Sequence, residues 1–396
     1  MVALLVMLSL LGVFYAYAGY PLLLLWIRKE REIDGTTGGN KPKTSTFLLP
    51  ITVVITVRNE RAVIAEKVEQ TLYLQYGPKC VGEHLAEPAS VVQVIVASDC
   101  SDDGTDELVR SFLPVGVEPI CLPERGGKER AQKAALESAR GAVIVFTDAK
   151  IKLNPDALDR FRTYFVDPSV GAVSSVDQVD TTDGAGSGEG LYIRYEMWLR
   201  GLESDYKTLV GLSGSCFAVR RELCEGFRTD VPSDFAMLIE SQKRGLRGVH
   251  APDIVGTYKA VKTEQEEFTR KVRTVLRGMT AFFRYKEVLN FVHYGSFSWQ
   301  LLSHKFCRWL VPWCMLIATL GSVALAPSSP LFLWFTYAFT IFYAFAALAY
   351  SVPFLRRLIP FKACLFFVVS NAAIAVAWLK YLSGDRAVSW DPSAKM

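Results

Sequence analysis

The run Ala142-Val143-Ile144-Val145-Phe146-Thr147-Asp148-Ala149-Lys150 decides the fold. Apolar residues closing on Thr-Asp describe a buried strand that carries a carboxylate out at its C-terminal end. In open α/β sheets, ligands bind in the crevice outside such ends. Lys150 follows two positions later, where a second carboxylate would be usual, and brings positive charge to the same place.

Outward from this strand, strands and helices alternate. Ile51–Val57, Val91–Ala97 and a short segment near Glu118–Leu122 read as strands. Helices are expected around Arg61–Leu74, Thr105–Phe112 and Lys128–Ala139. This alternation predicts an α/β fold, a mostly parallel sheet with helices on both faces. The second half, Leu191–Gly278, is richer in helix: an aromatic-acidic run Tyr192–Ser204, a Gly-bounded strand Gly214–Val219, helix Asp234–Arg244 and a basic helix Glu264–Gly278. Glu32–Ser45 reads as a linker, Glu83–Ser90 as a polar insert and Thr181–Gly190 as a mobile loop.

The apolar residues, half of the chain, are concentrated at its ends. Val2–Ile27 carries no charge, and at ~1.5 Å per residue it spans a hydrocarbon core of about 30 Å. It is too long for a signal peptide and lacks a basic region before it. Trp309–Ala326, Leu331–Val352 and Phe361–Leu382 are three further transmembrane candidates. By the positive-inside rule, Arg28–Arg31 and the Arg356, Arg357, Lys362 loop face the cytosol, which leaves both termini outside. Lys380, Arg386 and Lys395 pull the tail the other way. Phe291–Phe306 mixes Trp299, His304 and Lys305 with apolar residues and reads as an interfacial helix. The expected boundaries are an anchor at 1–27, a linker at 28–46, a first half of the α/β domain at 47–180 and a second half at 181–284. An interfacial helix at 285–306, three transmembrane helices at 307–383 and a tail at 384–396 follow. Net charge is only +4, which gives no support to nucleic acid as a partner. The eight cysteines form no Cys-x-x-Cys pair, so a zinc site is not expected and a reduced state fits them.

Polar clusters mark the predicted strand ends. Val57-Arg58-Asn59-Glu60 ends the first strand, and Ser98-Asp99-Cys100-Ser101-Asp102-Asp103-Gly104-Thr105 ends the second. Taken alone, such clusters are ordinary capped turns. Converging with Asp148 at one edge, their carboxylates need a polar ligand or a metal. Arg125-Gly126-Gly127-Lys128 opens a helix, as a phosphate site or a plain turn would. Ser233-Asp234 is good capping sequence. Tyr195 and Trp198 suit either sugar stacking or core packing.

In order and spacing these elements resemble the family-2 glycosyltransferases, over about residues 47–320. The likeness is to the membrane-anchored branch that includes synthases of cellulose, chitin, hyaluronan and poly-N-acetylglucosamine. It is carried by the Asn-Glu turn, the Asp-x-Ser-x-Asp-Gly-Thr cluster, the Gly-Gly-Lys helix start and Phe146-Thr147-Asp148-Ala149. Gly214-Ser215-Cys216-Phe217-Ala218-Val219-Arg220-Arg221, Ser233-Asp234-Phe235 and the Arg270-Lys271-Val272-Arg273 helix complete it. The resemblance implies a GT-A-like, Rossmann-type sheet flanked by transmembrane helices. It implies a donor site at Asn59, Glu60, Asp99, Lys128 and Asp148, with Asp148 holding the diphosphate through Mg²⁺ or Mn²⁺. Asp234 would be the general base and Arg273 a clamp on the leaving group. The partners implied are a nucleotide-sugar, UDP-linked by family habit, a glycan or lipid-linked acceptor, membrane lipid and synthase subunits. The place implied is a bacterial inner membrane, with the catalytic domain cytosolic.

Two departures follow from the same resemblance. Lys150 replaces the family's Asp or Asn, and a lysine is not a ligand for a hard cation. Thr274 replaces the Trp of Gln-x-x-Arg-Trp, the aromatic that meets the acceptor in processive members. Transfer of a single sugar to polyprenyl phosphate, or a silent nucleotide-sugar-binding scaffold, are the alternatives.

Overall fold

The computed structural model describes residues 1–33, 48–180, 188–259 and 264–386. Runs of Val and Ile form strands because β-branched side chains pack well on a pleated surface covered on both faces. β1 (Ile51–Val57) and β2 (Val92–Ser98) are buried along their whole length. With β3 (Val117–Cys121), β4 (Val143–Asp148), β5 (Lys152–Leu153), β6 (Val170–Asp180), β7 (Cys216–Arg220) and β8 (Arg247–Lys259), they make one sheet. Its order is β3-β2-β1-β4-β7-β6-β8-β5. The first four strands in that order are mutually parallel, as are β6 and β8; β7 runs antiparallel between β4 and β6. The mostly parallel α/β sheet is as expected. The division placed at residue 180 instead runs through the sheet, since β7 and β8 come from the second half.

The helices are α1 (Val2–Glu30), α2 (Arg61–Leu72), α3 (Lys128–Ser138), α4 (Gly188–Tyr206), α5 (Ser233–Lys243), α6 (Glu264–Arg284), α7 (Ser296–Ser328), α8 (Pro330–Ser351) and α9 (Ile359–Leu382). Alternation along β1 sends Val53 and Ile55 to one core and Val54 to another. The first core is closed by α2, through Ile64 and Val68, and by the short helices Thr105–Arg110 and Ala157–Tyr164. The second holds Ala131 and Ala135 of α3, Leu238 of α5 and the Val272, Leu276, Met279 seam of α6. It continues into Trp309 of α7 and Ala373 and Ala377 of α9, so sheet and apolar helices share one core.

α1, α7, α8 and α9 are long and apolar enough to cross a membrane. No separate interfacial helix spans 285–306. Gly295, at φ 49°, ends the short helix Phe291–Tyr294, and from Ser296 the chain runs on into α7 through a π-turn at Leu302–Phe306. Polar residues of this stretch face the α/β domain: His304 Nδ1 lies 2.7 Å from Glu203 Oε1, Gln300 Nε2 donates to the Thr208 carbonyl at 2.8 Å and Ser298 Oγ to that of Val288 at 2.7 Å. Residues 181–187 of the expected loop, 34–47 of the linker and 387–396 of the tail lie outside the described residues.

β8 also carries a buried histidine. Burial, reinforced by the nearby Arg200 charge, pushes His250 down to about 4. The folded chain therefore holds it neutral at pH values where the unfolded chain has protonated it. The stability it contributes is complete above about pH 6.5 and is lost as pH falls toward 4, by roughly 3 kcal/mol at most. Acid unfolding of His250→Asn should show a flatter dependence over this window than that of the natural chain. Identical slopes would show that His250 is not responsible.

Candidate active site

Strand register builds the site. Val57 lies opposite Ser98 and Thr56 opposite Asp148, so Arg58–Glu60, Asp99 and Asp148 emerge side by side. Because β7 is antiparallel, it begins where β4 ends: Cys216 faces Thr147, and the Asp148 N–H donates to the Ser215 carbonyl at 2.9 Å. The Ser213-Gly214-Ser215 turn thus enters the same crevice.

The predicted donor residues are first of all bonded within the strand-end loops themselves. Asn59, at φ 52°, accepts the Asp102 N–H at 3.0 Å and donates its own N–H to Ser101 Oγ at 3.1 Å. Asp99 is fully buried. Its carboxylate accepts N–H bonds from Gly126 at 2.7 Å and Gly127 at 3.0 Å, while Arg58 donates to its carbonyl at 2.9 Å. Gly127 sits at φ 89°, a conformation that favours glycine. Asp99 therefore clamps the turn that launches α3, and Lys128 is the first residue of that helix.

Lys128 Nζ lies 2.5 Å from Asp148 Oδ1 and donates to the Gly214 carbonyl at 3.0 Å. Lys150 Nζ lies 3.2 Å from Glu60 Oε1, and burial raises the Glu60 carboxyl, partly offset by Lys150. Beneath them, buried Lys67 donates to Thr147 Oγ1 at 3.2 Å and the Ile151 carbonyl at 2.6 Å, holding the 148–151 turn from below. Burial pushes Lys67 down to about 8. Three lysines thus surround the two carboxylates.

Asp234 lies across Gly214 from this pair. A Cβ on Gly214 would stand 3.3 Å from Asp234 Oδ2, so any side chain there would crowd the carboxylate. Asp234 is not the cap of α5: Pro232 holds that position, with no side-chain cap bond. Its carboxylate is partly exposed and has no hydrogen-bond or ion-pair partner among the described residues. Along α6, Arg277 pairs with Glu129, the neighbour of Lys128, and Arg273 lies one turn earlier on the same face. Lys271 contacts Glu267 at 2.7 Å and lies 3.9 Å from the Phe366 ring centre, so it serves the α6–α9 junction rather than lipid. Tyr195 is likewise committed to packing, donating to the Tyr17 carbonyl at 2.8 Å.

Sequence reasoning did not single out Asp177, Ser213, Ser215 or Lys67. Asp177 Oδ1 accepts Ser213 Oγ at 2.7 Å and also Ser215 Oγ, fixing the Gly214 turn from the far side. The alternating Ser-Gly-Ser sequence was the available signal.

Residues 52–227 match the Glycosyl transferase family 2 profile. This segment is a family-2 glycosyltransferase domain. An N-acetylglucosaminyltransferase of Rhizobium meliloti (strain 1021) is 25% identical over 371 residues, 80% of this chain and 82% of that protein. The succinoglycan biosynthesis protein ExoO of the same strain is 31% identical over 102 residues, 26% of this chain and 29% of its own length. Among solved structures, the mannosyltransferase PcManGT from Pyrobaculum calidifontis, in complex with GDP-Man and Mn²⁺, superposes with a TM-score of 0.70 at 24% identity. The match covers 96% of this chain and 99% of that one, and shows that the two share a fold.

The donors present here do not fit a resident divalent ion. Such an ion takes several oxygen ligands. Among the described residues no group of three His, Cys, Asp or Glu gathers; of the strand-end carboxylates, Asp148 faces Lys128 and Asp99 is taken up by the Gly126 and Gly127 N–H groups. Lys150 occupies the position of the second oxygen donor and is turned onto Glu60. Nucleotide affinity measured calorimetrically should accordingly be the same with Mn²⁺ and with EDTA, and Lys150→Asn should introduce a Mn²⁺-dependent gain. A large loss of affinity in EDTA for the natural chain would reverse this assignment.

Proposed function

We propose that the glycosyltransferase inverts the anomeric centre of a nucleotide-linked sugar in a single displacement onto an acceptor hydroxyl at the membrane surface. Asp234 carries the reading: an unpartnered, partly exposed carboxylate, among the described residues, beside Gly214 and across from the Lys128–Asp148 pair. An acceptor hydroxyl is a weak nucleophile until its proton is removed. Asp234 takes that proton as the oxygen bonds to the anomeric carbon, and the bond to the diphosphate breaks with its electron pair leaving on the nucleotide. Lys128, Lys150 and Arg273 meet the charge that develops on the leaving group. Asp99 acts by holding the Gly126-Gly127 turn, and hence Lys128, in position.

The donor to test first is UDP-N-acetylglucosamine, because the Rhizobium relative is an N-acetylglucosaminyltransferase. GDP-mannose stands beside it, because PcManGT is a mannosyltransferase solved with GDP-Man. Thr274, exposed on α6, offers no aromatic platform for a growing chain, which favours transfer of one or a few sugars. The catalytic domain would lie on the cytosolic side, with Arg356, Arg357 and Lys362 in the same compartment. The test is nucleotide release by the full-length protein in lipid across a donor panel. Donor binding without release under any acceptor would favour the scaffold reading instead.

A further inference from the structure

Below the Gly214 turn, α7 brings a cation against the catalytic domain. Lys305 Nζ would lie 3.5 Å from a Cβ placed on Gly211, and among the described residues Lys305 is the only side chain within 4 Å of that position. Gly211 is buried, so this amine faces the loop that leads to Gly214 rather than lipid. Glu196, Arg200, Glu203 and Arg308 all lie within electrostatic reach of it. Both carboxylates are already engaged: Glu196 with Arg308 at 2.8 Å and His304 at 2.9 Å, Glu203 with His304 and the Tyr20 hydroxyl, each at 2.7 Å. Arg200 lies 3.9 Å from Glu196 and donates to Ser174 Oγ at 3.3 Å. Three cations therefore meet two carboxylates. Lys305, only partly exposed, has no hydrogen-bond or ion-pair partner among the described residues. A desolvated charge without a counter-ion is costly, and an arriving anion relieves the cost.

We propose that Lys305 and Arg200 hold the phosphate of a lipid-linked saccharide acceptor. Gly211 and Gly214 are three residues apart, at most about 11 Å of chain, and Asp234 lies beside Gly214. A phosphate at Lys305 thus lies within reach of the base, and a sugar carried on that phosphate can present its hydroxyl to Asp234. The lipid tail runs back along α7 into the membrane. The inference rests on the glycosyltransferase reading above and adds the acceptor class to it.

The test compares farnesyl phosphate with farnesol, binding to the full-length protein in nanodiscs of neutral phosphatidylcholine. The natural chain should prefer the phosphate by about tenfold or more, the size of one charged hydrogen bond. Lys305→Met should erase the preference and Lys305→Arg should keep it. Gly211→Asp, which places a carboxylate against Lys305 without removing it, should also erase it, and melting temperatures check that each variant folds. No preference in the natural chain, or one that survives both Lys305→Met and Gly211→Asp, overturns the proposal. Equal binding of inorganic phosphate, or equal displacement by phosphatidylglycerol vesicles, overturns the lipid-linked assignment. Nucleotide-sugar binding is measured on the same samples: if it persists while the preference is absent, the acceptor site alone fails. If it is absent, the glycosyltransferase reading fails.

Discussion

Asp234→Asn is expected to lower the rate of nucleotide release about 10²–10⁴-fold, the usual contribution of a positioned general base. The amide has the same shape and keeps one acceptor oxygen, but it takes no proton as the acceptor attacks. Because the carboxylate has no partner among the described residues, the substitution leaves no buried group unpaired and should not disturb the fold. Nucleotide affinity should therefore be unchanged, with kcat and kcat/KM falling together, as they do when an interaction made only in the transition state is lost. Steady-state release and equilibrium nucleotide binding, measured on one preparation, separate these outcomes. A loss smaller than about tenfold would mean that another group accepts the proton.

The parts of this site that the sequence shows are those set by local pattern. β1, β2 and β4 are dominated by Val and Ile, so their polar ends, and the residues just beyond them, stand out. β6 and β8 did not stand out. β6 carries Ser174, Ser175 and Asp177 in its interior, and β8 has an irregular register between His250 and Val255, which hides the period of two. The antiparallel insertion of β7 between parallel neighbours is a property of the whole sheet. No periodicity in Cys216–Arg220 encodes it, although it is what brings Gly214 to Asp148.

Pairing within the site was hidden for a similar reason. Residue types announce that carboxylates and lysines converge, but only the backbone decides that Lys128 meets Asp148 and Lys150 meets Glu60. The capping interpretation of Asp234 likewise turns on a shift of two residues at the start of α5, which lies within the ordinary spread of a helix boundary. At the α4–α7 junction a signal was present. Glu196, Arg200 and Glu203 recur at helical spacing on α4, as do His304 and Arg308 on α7, which places complementary charges on two faces. An aromatic, mixed-polarity stretch beside an apolar span reads equally as interfacial, and the buried surface that chooses between the two exists only once the catalytic domain is folded.

Arg308→Met should destabilise the protein more than any surface change, by about 3–5 kcal/mol. The guanidinium is 7% exposed and ties α7 to α4 through Glu196 at 2.8 Å and Tyr195 at 3.3 Å. It also lies 5.6 Å from the ring centre of Tyr17 in α1, so one side chain joins the catalytic domain to two apolar helices. Its removal leaves Glu196 buried with its closest cation gone, to be balanced by His304 and the more distant Arg200. The expected readout is a fall of roughly 5–10 °C in the melting temperature of the purified protein in detergent. Replacing both members should behave differently. In Glu196→Gln/Arg308→Met the carboxylate and the guanidinium go together, so the double variant should recover part of the lost stability, and the coupling energy between the sites should be large. Additive losses, with no recovery, would show that the two side chains do not act as a pair. The functional consequence follows from the shared core. With this junction loosened, α7 no longer holds Lys305 against Gly211, and turnover of a membrane-borne acceptor should fall while nucleotide affinity, set at the far strand ends, persists.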